Sequence, residues 1–131
     1  MFVGMAYYEK LVAWKECHAL ALAVYRATEG FPKREMYGLT AQARRAAFSA
    51  AANIAEGSAK RDPAEFRRFL DISLGSLAEV SYIARLAKDL GLLSEDSWAA
   101  LNNQQNRAGF LTWRLYQAVA KRKSDLAASQ P

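Results

Sequence analysis

Apolar residues recur along this chain at spacings of three and four, which gives each long segment one apolar side. Four segments carry the pattern, at about 9–29, 37–56, 62–90 and 94–122. No stretch alternates at period two with β-branched enrichment, so no sheet is predicted. In the first segment Leu11, Trp14, His18, Ala21 and Tyr25 fall on one helical face. Gly30 then offers a left-handed cap, and Pro32 blocks continuation. The second segment has one stripe through Leu39, Ala43, Ala46, Ala50, Asn53 and Ile54, and another through Phe48, Ala51 and Ala55. Eight alanines lie within residues 41–55. A helix apolar on two sides is usually covered on two sides, which points to a subunit interface through Phe48, Ala51 and Ala55.

The third segment opens clearly. Asp62 is a capping residue, Pro63 suits the first turn, and Glu65 stands where a capping box needs it. Phe66, Leu70, Ser73, Leu77, Val80, Ala84 and Ala87 then trace a seam, and Gly91 stops it. Gly75 interrupts this segment at a cost of about 1 kcal/mol against Ala, so the expectation is a second backbone in close approach. Ser94 caps the fourth segment, and Trp98, Leu101, Gln105, Ala108, Thr112, Leu115 and Val119 continue the seam. The tail at 124–131 is expected to fray. Four amphipathic helices with short connections predict an all-α, antiparallel, up-down-up-down four-helix bundle in one domain spanning 1–131.

The 131-residue length supports one core without staples. One cysteine excludes an internal disulfide framework. The lack of a long apolar run excludes a membrane span, and no signal peptide pattern is seen, so a cytoplasmic protein is expected. The net charge of +5 is unevenly spread. Residues 26–68 hold nine basic and five acidic groups, and residues 114–131 hold four and one. Residues 69–113 hold three basic and five acidic groups. The basic excess attracts polyanions at low salt.

Catalytic chemistry is thin. The single histidine, His18, follows the single cysteine, Cys17. Neighbouring helical positions diverge by about 100°, so the two do not form a nucleophile–base pair. His18 reads as a hydrogen-bonded core residue and Cys17 as a small buried hydrophobe. One histidine cannot supply the two Glu-x-x-His pairs of a di-iron bundle. No phosphate-binding or dinucleotide-binding glycine motif occurs. No enzyme activity, cofactor or metal is therefore expected.

Lys60, Arg61, Arg67 and Arg68 form the sharpest basic cluster, across the entry to the third helix, whose N-terminus adds partial positive charge. Two readings are open: phosphate contact, or a solvated surface with Arg68 paired to Glu65. Arg44 and Arg45 are open to phosphate contact or to an ion pair with Glu. Glu56 and Glu79 are candidates for burial, and Asn53, Glu56 and Gly57 read as a lock on the helix end, with Gly57 at positive φ. The aromatics Trp14, Phe66, Phe69, Trp98 and Trp113 read as core or interface, not as base-stacking platforms.

Phe31-Pro32, Tyr37-Gly38-Leu39, Arg44-Arg45-Ala46, Asn53-Ile54-Ala55-Glu56-Gly57, Gly75-Ser76-Leu77, Glu79 and Asp89-Leu90-Gly91 occur in that order. Together they make the chain resemble the 23S rRNA-intervening-sequence proteins over about residues 7–120. Ala51-Ala52 stands where that family usually has Ile or Val followed by Pro, which should leave the second helix straighter. Ser73 stands where Ala is common. The resemblance implies structural roles for Asn53, Glu56, Gly57, Gly75, Ser76 and Glu79, and assembly of copies into a ring of five. A related fold, that of the accessory variability proteins of diversity-generating retroelements, implies a basic surface for RNA or DNA. The alternative is a scaffold that binds a partner protein without nucleic acid.

Overall fold

The computed structural model describes the backbone of residues 6–128 and the side chains of residues 6–121. A short 3-10 turn over Tyr7–Lys10 leads into α1 (Val12–Thr28). A second 3-10 turn, Lys33–Glu35, precedes α2 (Leu39–Ser58). α3 (Pro63–Asp89) and α4 (Glu95–Ala128) follow. No strand occurs among the described residues. Each helix packs on its neighbours in sequence and α4 closes on α1, so the four stand at the corners of a square. The short connections make consecutive helices antiparallel.

Local chemistry sets the ends. Asp62 Oδ1 accepts from the Ala64 N–H at 3.0 Å, and Pro63 fills the first turn of α3, where its missing N–H has no cost. Glu65 does not complete a capping box; its Oε2 instead meets Arg68 at 3.4 Å. α3 ends in a Schellman motif: the Leu92 N–H donates to the Ala87 carbonyl at 2.8 Å and the Gly91 N–H to that of Lys88 at 3.0 Å. Gly91, at φ 76°, is the one described residue with positive φ. Gly30 and Gly57 therefore do not take the left-handed caps expected of them. At α2, Glu35 Oε1 accepts from the Leu39 N–H at 3.2 Å, which satisfies one orphan donor and places negative charge at the positive helix end. The Ser97 N–H donates to Ser94 Oγ at 3.1 Å to open α4. α4 runs on to Ala128, through positions expected to fray, while 129–131 lie outside the described residues.

The seam of α3 is buried throughout: Phe66, Leu70, Ser73, Leu77, Val80, Ala84 and Ala87 all face the core. On α4, Leu101, Ala108, Thr112 and Val119 are buried, and Trp98, Gln105 and Leu115 half-buried. α1 differs from expectation. Its buried face is Ala13, Cys17, Leu20, Val24 and Thr28, about one position away from the stripe read in the sequence. His18 is exposed, stacked on Trp14 with centroids 4.8 Å apart. On α2, Ala51 lies in the core rather than on an outer face.

α2 and α3 meet closely because α2 offers methyls there: Ala43, Ala46, Ala47 and Ala50 are buried. Ser73 Oγ donates to the Ala50 carbonyl at 2.8 Å, so its hydroxyl is satisfied inside the contact. Gly57 is pressed against α3. A Cβ there would lie 2.7 Å from Phe69 Cβ and 3.0 Å from Phe66 Cδ1. Gly75 is the reverse case: it is exposed, with nothing within 4 Å of a Cβ built on it. The close approach expected at Gly75 belongs to Gly57. α2 also runs unbroken to Ser58, in keeping with alanine where a proline was expected.

Candidate functional site

The α2–α3 connection, residues 59–62, gathers cations because α2 ends and α3 begins beside it. Lys60, Arg61 and Arg68 are exposed and Arg67 is half-buried. Lys60 Nζ lies 5.3 Å from the centroid of the Phe69 ring, and the Arg68 guanidinium lies 4.7 Å from it. Phe69 itself is buried at the α2 contact, so its ring face orients both cations. Arg68 also meets Glu65, an exposed pair that contributes little to stability. Arg67 turns the other way along α3 and lies 5.9 Å over the Tyr116 ring of α4. Trp113 stacks on Tyr116 with centroids 5.3 Å apart and planes 10° from parallel, and is itself 46% exposed. Trp113 thus lies at the surface and outside the core, one of the two places, core or interface, that the sequence left open. The signal was present: Trp113 directly follows the seam residue Thr112 and points about 100° away from it.

The remaining candidates fall apart into separate settings. Arg44 does not pair with Glu. Its Nε donates to Thr28 Oγ1 at 2.9 Å and its guanidinium lies 4.8 Å over the Tyr25 ring, which ties α2 to the end of α1. Arg45 is exposed. Asn53 Nδ2 donates to the Ser49 carbonyl at 2.8 Å and to Ser49 Oγ at 3.0 Å, and Ser49 Oγ meets Ser76 Oγ at 2.8 Å. Asn53, Ser49 and Ser76 therefore form one polar seam along the α2–α3 contact. Ser49 has no role in the sequence reading, and only its bonds to Asn53 and, across the helix contact, to Ser76 assign it one. Glu56 and Glu79 are exposed, so neither is the buried carboxylate expected.

A third region is apolar. On α2, Phe48 is 63% exposed, and Ala55 lies seven residues on, along the same flank. Arg44, one turn earlier, reaches Tyr25, so this flank faces α1. Along it run Trp14, Ala21, Leu22 and Tyr25 of α1, with Leu22 and Tyr25 exposed. Near the α1–α2 connection a cleft of about 640 Å³ is lined by Phe31, Met36, Tyr37, Thr40 and Arg44, with Tyr37 almost wholly open.

Cys17 is buried between α1 and α4, with Sγ 3.5 Å from Thr112 Oγ1. Burial pushes its thiol up to about 11; Glu16 adds to the rise and Thr112 opposes it. A protonated, enclosed thiol is a poor nucleophile. Among the described residues no group of three or more His, Cys, Asp and Glu is placed to hold a metal. No helix among them is long and apolar enough to cross a membrane.

Fold and surface together define an all-α, four-helix bundle with a cationic end and an apolar flank. The model of the 23S rRNA-intervening sequence protein family matches residues 9–112, and the chain belongs to that family. A solved structure from Bacteroides thetaiotaomicron VPI-5482, described as a protein with unknown function from the S23 ribosomal protein family, superimposes with a TM-score of 0.72. It is 19% identical, and the match covers 80% of this chain and 98% of that one, so it shows the shared fold. No curated protein matches the chain.

Proposed function

We propose that this protein is a non-enzymatic, self-associating bundle that binds nucleic acid through the end formed by the α2–α3 connection. The observation that carries the reading is the pair of cations, Lys60 and Arg68, held on one aromatic ring, with Arg61 next to Lys60 in the chain and Arg67 directed along α3 to Tyr116. A ring face leaves the charge of Lys60 uncancelled, while Arg68 shares its charge with Glu65 in an exposed, solvent-screened pair. The N-terminus of α3 adds partial positive charge at the same place. Each copy added to an assembly would repeat the cluster, and the family resemblance suggests a ring of five.

Self-association rests on the α1–α2 flank, where Leu22, Tyr25 and Phe48 leave large apolar side chains open.

Affinity for duplex DNA, measured by anisotropy across a salt series, is expected to fall with a log–log slope of about −0.9 per phosphate contact. Absence of binding to duplex and single strands alike at low salt sinks the nucleic-acid reading. Phe48→Glu is expected to lower the mass seen by light scattering while circular dichroism stays helical. An unchanged mass would place the interface elsewhere. The open cleft at Met36 and Tyr37 favours a second reading, a scaffold for a partner protein. Capture from nuclease-treated lysate separates the two, because only the scaffold keeps its partner there.

A further inference from the structure

We propose that the α3–α4 flank beside the basic end holds unpaired bases of a single-stranded nucleic acid by stacking, while Lys60, Arg61, Arg67 and Arg68 hold its phosphates. The inference rests on the nucleic-acid reading above and narrows it to one class of ligand. Trp113 and Tyr116 form a stacked pair, and Arg67 covers the Tyr116 ring from α3. Trp113 keeps about half of its surface open, so the stack is unfinished on its solvent side. One turn before Trp113, Phe110 is 57% exposed with the Arg114 guanidinium 5.8 Å over its ring. Aromatic faces and guanidinium groups thus alternate along the flank.

That alternation suits a strand whose bases are free. Each base has a π-face whatever its identity, and the phosphates between bases meet the cations. A duplex hides its base faces inside its own stack and offers only phosphates to the same surface. Nearby acids offset part of the field and leave Lys60, Arg61 and Arg67 without a carboxylate partner among the described residues. Glu65 meets Arg68, Asp62 is spent on the α3 cap, and Asp71 lies exposed one turn beyond Arg67. By contrast, further along the α3–α4 groove Arg85 pairs with Asp89 and Lys88 with Glu95, so the platform belongs to the basic end alone.

The test uses the full chain with fluorescein-labelled oligouridylate, the same strand annealed to oligoadenylate, and oligothymidylate. Anisotropy is read at one low salt concentration. Single strands are expected to bind more tightly than the duplex, although the duplex carries the denser charge. Trp113→Ala is expected to weaken single-strand binding about tenfold and to leave duplex binding unchanged. Oligouridylate is expected to quench tryptophan emission in the native chain and not in Trp113→Phe, which keeps a ring and so guards against a folding defect. Binding of either single strand supports the proposal, and their ratio tells which sugar is preferred. If the duplex binds as well and Trp113→Ala changes nothing, while Arg67→Glu weakens both forms, the stacking inference falls and phosphate binding survives. If no form binds, both readings fall together.

Discussion

The α3–α4 half and the α1–α2 half of the bundle respond differently to the same kind of reading. In α3 each residue of the seam is buried, and its flanks carry Asp71, Glu79 and Arg85 in solvent. In α1 the aromatic stripe of Trp14 and Tyr25 is half-buried or exposed, and the core takes Ala13, Cys17, Leu20 and Val24 instead. Periodicity locates an apolar face only where polar residues bound it. Where a helix is apolar on two faces, size decides. The interior beside α2 is built from alanines, so it admits Ala13 and Leu20 and leaves the large rings outside. Leu22 and Tyr25 of α1 and Phe48 of α2, left over by the core, lie on one flank, and this is the flank proposed for contact between copies.

The sharpest way to break this comparison is to truncate one residue from each face of α1. Leu20 is wholly buried, so Leu20→Ala is expected to cost about 2–5 kcal/mol in urea unfolding. Leu22 is 42% exposed, and Leu22→Ala is expected to stay within about 0.5 kcal/mol at concentrations where the chain is a monomer. Equal losses would mean that both faces of α1 are buried alike. If Leu22→Ala is neutral in the monomer but lowers the assembly, the flank is an interface.

Much of the fold was legible because its signals were local. Asp62-Pro63, Leu90-Gly91 and Ser94 mark ends through bonds made within a few residues, and those ends lie where expected. The misreadings involve contacts between helices. Gly57 and Gly75 look alike in sequence, and only the crossing of α2 on α3 tells which one is pressed against a neighbour. The cationic cluster was legible for the same reason as the caps, since Lys60, Arg61, Arg67 and Arg68 are near neighbours in the chain. Its aromatic partner was not, because Tyr116 and Trp113 arrive from another helix.

The junction of the two halves can be titrated through Cys17, which joins α1 to α4 at Thr112. Its thiol rises from an ordinary 9.0 to about 11 on folding, so the folded chain holds the proton more tightly than the unfolded one. The resulting stability is complete below pH 9 and is lost as the pH climbs towards 11, by about 2–3 kcal/mol in all. Cys17→Ala is expected to remove that part of the alkaline loss, measured as the difference in unfolding free energy between about pH 8 and pH 11. Identical slopes for the native chain and the variant would place the thiol in solvent.

The two helical glycines sharpen the comparison to a difference of sign. In each, replacement by Ala adds helix propensity of about 1 kcal/mol, so any further effect comes from the space around the new methyl. At Gly57 that methyl meets Phe69 Cβ at 2.7 Å and Phe66 Cδ1 at 3.0 Å. Phe69 Cβ and the Phe66 carbonyl, 3.3 Å away, move only with the α3 backbone, and the Phe66 ring is held by its burial. Overpacking of this kind costs about 1–3 kcal/mol, and Gly57→Ala is expected to lower the melting temperature by several degrees. Gly75 has open space, so Gly75→Ala is expected to gain the full propensity term, about 1 kcal/mol or roughly 4 °C. A loss at Gly75 would mean that something presses on α3 there after all. Since nothing among the described residues reaches that position, another molecule is the expected neighbour. Dilution would then restore the gain, because a partner leaves on dilution and an internal contact does not.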